Sequence, residues 1–321
     1  MNPNNGTTFS ICIPAYKSKH LHACIASILG QTIGDFELII LNDCSPQPVE
    51  EVVSQFDDKR IQYHKNETNV GAVDLVQNWN KCLSLATGKF IVIMGDDDLL
   101  EPDYLETFTG LIAAHPDLDV YHCRSKIIDE NGNTILLTPA CPATEDVYDS
   151  IWHRLNQYRS NYISDYLYRT EALRDQGGFH PLPLAWGSDD ITAFIAMGQK
   201  GIAHSPKAVF RYRSHGMSIT STTTNGLAKL EADMGYAAWL KNFLQENPLG
   251  AVETVIYRHL VENQDRYMRD RRIFTMTKIM ASEAIPRIGK WLRHRKKFQL
   301  TTKDILTAAV KSRKMRKQLR E

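Results

Sequence analysis

Short apolar runs alternate with helical spacings through the first half of the chain, an order that predicts a largely parallel sheet with crossover helices. Residues 9–13 read as a first strand ended by Pro14, and Leu21, Ile25, Ile28 and Leu29 give 21–31 one helical face. A second strand over 36–41 turns at Asn42-Asp43-Cys44-Ser45-Pro46; a helix at 49–56, a short strand at 61–64 and a helix at 73–86, stopped by Gly88, follow. The next apolar run, Phe90 to Met94, passes Gly95 and releases Asp96, Asp97 and Asp98 before the helix that Pro102 starts. Residues 120–128 and 134–137 read as strands joined by the Asp129-Glu130-Asn131-Gly132-Asn133 turn, whereas 138–160 carries little period and could cover a cleft. Strands at 163–168 and 208–212 flank helices at 171–176 and 191–197. The Ser/Thr-rich 218–225 segment reads as a linker or mobile loop, and only helical patterns follow from Leu227. This places a boundary near Gly226, with an α/β domain over 1–225 and a helical extension over 226–321.

The 321 residues hold ample apolar content for a substantial core, and the net charge of +1 conceals an asymmetry. From Arg287 to Arg320 there are thirteen Lys or Arg and one acidic residue, Asp304. With Trp291, Leu292, Phe298, Ile305, Leu306 and Val310 among its cations, 287–320 could lie at an anionic membrane surface or pack its apolar stripe on the protein. No base-reading motif accompanies the charge, so a nucleic-acid partner is not expected. The six cysteines are scattered without a C-x-x-C pair, which predicts reduced, buried thiols in a cytoplasmic setting. Residues 1–10 lack the zones of a secretory signal, and no apolar stretch approaches the roughly 20 residues that span a bilayer. These readings predict a soluble or peripheral protein, at the inner face of the membrane if the tail meets lipid.

In open α/β sheets, ligands bind at the carboxyl ends of the strands. Three strands deliver polar motifs there: Pro14-Ala15-Tyr16, Asn42-Asp43 and Asp96-Asp97-Asp98. Neighbouring strands would line one crevice with an aromatic face for a base, a carboxylate to accept from a ring N–H, and oxygen donors for a hard cation. Clustered carboxylates repel, and a divalent ion or a hydrogen-bonded ribose would draw them together. A solvated acidic turn before a helix is the plainer account of the triplet.

The stretch from Phe9 to Tyr104 resembles the nucleotide-binding half of family 2 glycosyltransferases with the GT-A fold, a Rossmann-like, mostly parallel sheet with helices on both faces. The matching pieces are Ser10-Ile11-Cys12-Ile13-Pro14-Ala15-Tyr16, Ser27-Ile28-Leu29-Gly30-Gln31-Thr32, Phe36-Glu37-Leu38-Ile39-Ile40-Leu41-Asn42-Asp43, Asn69-Val70-Gly71, Ala86-Thr87-Gly88-Lys89-Phe90-Ile91 and Asp96-Asp97-Asp98-Leu99-Leu100-Glu101-Pro102-Asp103. The resemblance implies that Pro14, Ala15, Tyr16 and Asp43 hold the base of a nucleotide-sugar donor and that Asp96 lies near its ribose. It implies that Asp97 and Asp98 serve a Mn²⁺ or Mg²⁺ ion and the diphosphate. Many members carry an aspartate where this chain has Gly95, so the member of the triplet that meets the ion stays open.

Trp186-Gly187-Ser188-Asp189-Asp190 is similar to the family's acidic motif before a helix, where a carboxylate acts as general base on the acceptor hydroxyl. Asp189 is the first choice and Asp190 the second, because the family more often shows Glu-Asp where this chain has Ser188-Asp189. A helix cap by Ser188 or Asp189 explains the same residues without catalysis. Trp186 could stack on an acceptor sugar or belong to the core. Arg211 and Arg213, at alternate positions of a strand, could clamp the leaving diphosphate or simply face outward. His215 would complete the metal shell as a histidine does in some relatives, and 218–225 could close over the donor. The implied activity is inverting transfer of a sugar, from a UDP-sugar donor, to a glycan or lipid-linked acceptor hydroxyl. A nucleotidyltransferase would carry a glycine-rich basic loop where this chain has Pro14-Ala15-Tyr16-Lys17-Ser18. A catalytically silent glycan- or nucleotide-binding module of a polysaccharide-synthesis complex is the rival from another class.

Overall fold

The computed structural model describes residues 7–214, 225–245, 248, 250–283 and 288–318. The chain divides into two compact units, Met1–Pro181 with Ser188–His215, and Leu182–Gly187 with Gly216–Glu321. A single cut near Gly226 does not reproduce that division, because the 182–187 excursion belongs with the second unit.

The first unit is built on one sheet of β1 (Phe9–Ala15), β2 (Phe36–Asn42), β3 (Ile61–Lys65), β4 (Phe90–Ile93), β5 (Leu99–Leu100), β6 (Val120–Ile128), β7 (Thr134–Leu137), β8 (Thr144–Glu145), β9 (Tyr166–Arg169) and β10 (Ile202–Arg213). Their order is β3-β2-β1-β4-β9-β6-β10-β5, with β7 on β6 and β8 on β10. The β3-β2-β1-β4 half is parallel throughout, and β6 and β10 are parallel to each other. Strand β9 runs antiparallel between β4 and β6, so the sheet is mixed rather than purely parallel. Strands β2 and β4 are buried at every residue, which explains their unbroken apolar runs.

The helices of this unit are α1 (Leu21–Leu29), α2 (Val49–Val53), α3 (Leu75–Leu85), α4 (Tyr104–Ala114), α5 (Val147–Leu155), α6 (Thr170–Asp175) and α7 (Ser188–Met197). On one sheet face, Leu21, Ile25 and Ile28 of α1 and Tyr104 and Phe108 of α4 join Ile11, Ile40, Val92 and Phe210 in one core cluster. Burying each such side chain contributes about 1.5–3 kcal/mol. The turn into β4 depends on Gly88, where a Cβ would lie 2.7 Å from the Phe9 carbonyl carbon and the Ser10 nitrogen. Glu37 braces that turn by accepting from Ser10 Oγ, Thr87 N and Thr87 Oγ1. Burial opposes its charge, but those donors prevail and lower its pKa.

The 138–160 stretch is more ordered than its weak periodicity suggests. Asp146 caps α5 by accepting from Tyr148 N and Asp149 N, so a polar local signal starts a helix whose apolar face is brief. The second unit is helical: α8 (Gly226–Phe243), α9 (Ala251–Ser282), α10 (Ile288–His294) and α11 (Thr302–Gln318). Its core joins Leu230, Met276, Ile279, Met280, Trp291, Phe298 and Ile305. Three of the tail's apolar residues thus pack inward, while Leu292, Leu306 and Val310 stay exposed. Among the described residues no helix is long and apolar enough to cross a membrane.

Candidate active site

Strand order reverses direction at β1, with β2 built on one side and β4 on the other, so the carboxyl ends of β1 and β4 flank the topological switch point. The three motifs expected at this edge are bonded to one another. Asp96 Oδ2 accepts from Tyr16 N at 2.8 Å and Lys17 N at 2.7 Å, tying the β4 end to the β1 end. Asp43 N donates to Ala15 O at 3.0 Å, adding β2. Tyr16 is 42% exposed, its ring available at the rim, while Pro14 is half-buried and Ala15 buried.

Asp43 is buried and held by protein donors. Oδ1 accepts from Asn66 Nδ2 and Val70 N, and Oδ2 from Asn69 Nδ2 at 3.0 Å. The Asn69-Val70-Gly71 piece therefore serves as a cradle for Asp43, a role its sequence does not announce.

The three carboxylates of the triplet point to different partners. Lys17 Nζ lies 2.6 Å from Asp97 Oδ2, and Asp98 Oδ1 accepts from Arg213 N at 2.7 Å. Burial, then the charge of Asp97, raises the pKa of both Asp96 and Asp98. Burial opposes the charge on Lys17, but the neighbouring carboxylates raise its pKa overall. Among the described residues, the groups of three whose ligand atoms converge within 4.8 Å lie elsewhere. Gly95 matters to this packing, because a Cβ there would meet Asp98 Oδ2 at 2.5 Å.

Arg213 is buried beside the triplet, with Nε donating to Asp97 O at 2.7 Å and Nη1 to Glu130 O at 2.8 Å. Arg211 leaves β10 on the same side, and its Nη2 donates to Gly132 O at 2.7 Å. Both guanidiniums thus hold the 129–132 turn, and Arg213 alone of the two bonds to the triplet's backbone. His215 and 218–224 lie outside the described residues.

The second acidic motif is separated by one cation. Arg154 of α5 grips Asp190 with two parallel bonds, Nε to Oδ1 and Nη2 to Oδ2, each 2.7 Å. Asp189, in the first turn of α7, accepts from Asp190 N at 3.0 Å. Burial and then the Asp190 carboxylate raise the pKa of Asp189 to about 7, with Arg154 opposing. Ser188 is the first residue of α7.

Trp186 belongs to the second unit. Its Nε1 donates to Asp233 Oδ1 at 3.2 Å, and Lys229 Nζ stands 4.7 Å from the ring centroid. Leu184 and Ala185 before it both adopt left-handed backbone, at φ 61° and 52°, a strained pair of the kind that other packing must hold in place. Sequence reasoning missed Lys17, Arg154 and Asn66. Lys17 adjoins the matched Pro14-Ala15-Tyr16 piece, whereas nothing local marks Arg154 as the partner of a residue on α7.

The model for glycosyl transferase family 2 matches residues 10–179. The uncharacterized glycosyltransferase MJ1057 of Methanocaldococcus jannaschii is 35% identical over 120 residues, covering 36% of this chain and 40% of that protein. The chain matches less than half the length of each of the first curated relatives. Staphylococcal TarS 1–349 in complex with UDP-GlcNAc, from S. aureus, aligns at a TM-score of 0.64 and 17% identity, over 97% of this chain and 92% of that one. The mannosyltransferase PcManGT from Pyrobaculum calidifontis, in complex with GDP-Man and Mn²⁺, aligns at 0.55 and 16% identity, over 97% and 88%. These likenesses show the fold, a mixed α/β GT-A architecture followed by a helical region.

Proposed function

The chain belongs to glycosyl transferase family 2, and on that premise we propose that it is an inverting glycosyltransferase. In this reading it moves a sugar from a uridine diphosphate donor to a hydroxyl of a glycan or lipid-linked acceptor. The observation that carries the reading is the bonded edge at the switch point, where Asp96 joins β4 to the β1 motif through Tyr16 N and Lys17 N. Pro14, Ala15, Tyr16 and Asp43 receive the base, and Asp96 stands near the ribose.

Asp97 and Asp98 would hold Mn²⁺ or Mg²⁺, and the residues present suit it. Two carboxylates leave coordination positions for water and donor phosphates, as these hard cations require. The Lys17 ammonium on Asp97 marks the place where positive charge is favourable. When bound, the ion neutralises charge developing on the departing diphosphate. Arg213 adds a fixed cation beside the triplet, and Arg211 a weaker one.

Asp189 takes the proton of the acceptor hydroxyl as that oxygen attacks the anomeric carbon opposite the diphosphate. The carbon–diphosphate bond breaks in the same displacement, which inverts the centre without a covalent enzyme intermediate. A carboxylate with a pKa near the working pH suits this transfer. Asp190, held by Arg154, keeps the helix start in place. The exposed Leu292, Leu306 and Val310 among the tail's cations would touch an anionic membrane from the cytoplasmic side, where lipid-linked acceptors are found.

Calorimetry with UDP, with and without Mn²⁺, tests the reading. Metal-dependent binding that disappears in Asp97→Asn is expected. If neither UDP nor GDP binds in the presence of Mn²⁺, the silent-module account replaces the enzyme.

A further inference from the structure

A different constellation of ligating side chains lies in the first unit, away from the strand-end crevice. His122 on β6 and His204 on β10 are paired residues of adjacent parallel strands, so both rings leave the sheet on one face. Their Nδ1 atoms face each other at 3.0 Å. Cys141, shortly before β8, comes to the same place, and the ligand atoms of His122, Cys141 and His204 all lie within 4.8 Å of one another. Behind each ring stands a buried carboxylate: His122 Nε2 is 3.5 Å from Asp165 Oδ1, and His204 Nε2 is 3.2 Å from Glu145 Oε2. The rings are 2% and 7% exposed, and neither Nε2 completes a hydrogen bond of good geometry.

We propose that His122, Cys141 and His204 form a structural site for a borderline-soft divalent cation of the zinc class. Two imidazoles and a thiolate select such an ion over Mg²⁺ or Mn²⁺, which prefer oxygen. The ring spacing suits it, since metal–nitrogen bonds of about 2.0–2.1 Å in a tetrahedron set ligand atoms roughly 3.3 Å apart. The carboxylates supply the other half of the argument. If each imidazole carries its proton on Nε2, beside the carboxylate, both Nδ1 atoms can turn lone pairs to a cation between them. Asp165 is itself fixed by Ser125 Oγ and Tyr162 N, and Glu145 by Arg159, so the backing groups are set in place. On binding, the Cys141 thiol gives its proton to solvent and the Sγ–metal bond forms.

The site would pin β6, β10 and the segment entering β8 to one another. That segment continues through the Asp146 cap into α5, which carries the Arg154 that grips Asp190. The neighbouring Glu145, Asp149 and His153 group shares Glu145 with this arrangement, with His153 Nδ1 at 3.1 Å from Glu145 Oε1 and 3.3 Å from Asp149 Oδ1.

The full chain, stripped by a chelator and titrated with Co²⁺ as a spectroscopic substitute, decides the matter. The expected result is a thiolate-to-cobalt absorption band in the near ultraviolet that saturates at one equivalent, is displaced by Zn²⁺, and disappears in Cys141→Ser while the far-ultraviolet circular dichroism is unchanged. Co²⁺ at the aspartate triplet gives no thiolate band through its carboxylates. Absence of the band in the unaltered chain, or its persistence in Cys141→Ser, overturns the proposal.

Discussion

The aspartate triplet at the end of β4 and the aspartate pair that opens α7 are both acidic motifs, yet the chain holds them by different means. Two of the triplet's carboxylates are fixed by peptide N–H groups, Asp96 by Tyr16 and Lys17 and Asp98 by Arg213. Those donors come from the residues just past β1 and from the end of β10, so the carboxylates stay close together. In the pair, one guanidinium from α5 satisfies Asp190 and leaves Asp189 with a pKa raised to about 7. Peptide donors anchor the triplet, whereas a single side chain from another helix divides the pair.

The contrast can be broken most directly at Asp189. In Asp189→Asn, transfer should fall by about 10²–10⁴-fold while UDP binding in calorimetry stays unchanged. A variant that turns over normally would remove Asp189 from the role of base. Next in size, Arg154→Met should cost about 3–5 kcal/mol of stability in denaturant unfolding, because Asp190 is left charged and buried. The double variant Arg154→Met/Asp190→Asn should recover much of that loss, and equal destabilisation of both would show that the ion pair is not the cause.

The pH dependence sharpens the comparison further. As a base Asp189 works deprotonated, so kcat/KM should fall about tenfold per unit as pH drops below about 7. Stability runs the other way. An Asp in the unfolded chain titrates near about 3.9, so between that value and about 7 the folded chain binds the extra proton, and stability declines as pH rises. Asp189→Asn should therefore gain in Tm over the unaltered chain above pH 7, and the gain should shrink on acidification toward pH 4. The smallest effect is expected at Asn69→Ala, about 1 kcal/mol or less in unfolding, since Asp43 retains Asn66 and Val70.

Local features were legible from the amino-acid order. The apolar runs of β1, β2 and β4 and their polar ends mark the crevice because strand, turn and carboxylate are contiguous, and β6 and β7 fall where their patterns and the intervening turn place them. The Asp189–Asp190 pair is equally visible, but its division is not. That depends on Arg154, which reaches it from another helix, and nothing in its neighbourhood says so. The His122, Cys141 and His204 group escapes for the same reason, since only the parallel pairing of β6 with β10 brings the rings together. The helix at Val147–Leu155 was hidden by its short apolar face, although Asp146 two residues before Tyr148 was a readable cap.

Gly95 bears on the history open to this chain. A side chain at that position would collide with a carboxylate oxygen of Asp98, which is itself pinned by the Arg213 peptide. Any larger residue at 95 would therefore require that carboxylate oxygen to turn aside, so the size of residue 95 and the orientation of Asp98 are linked.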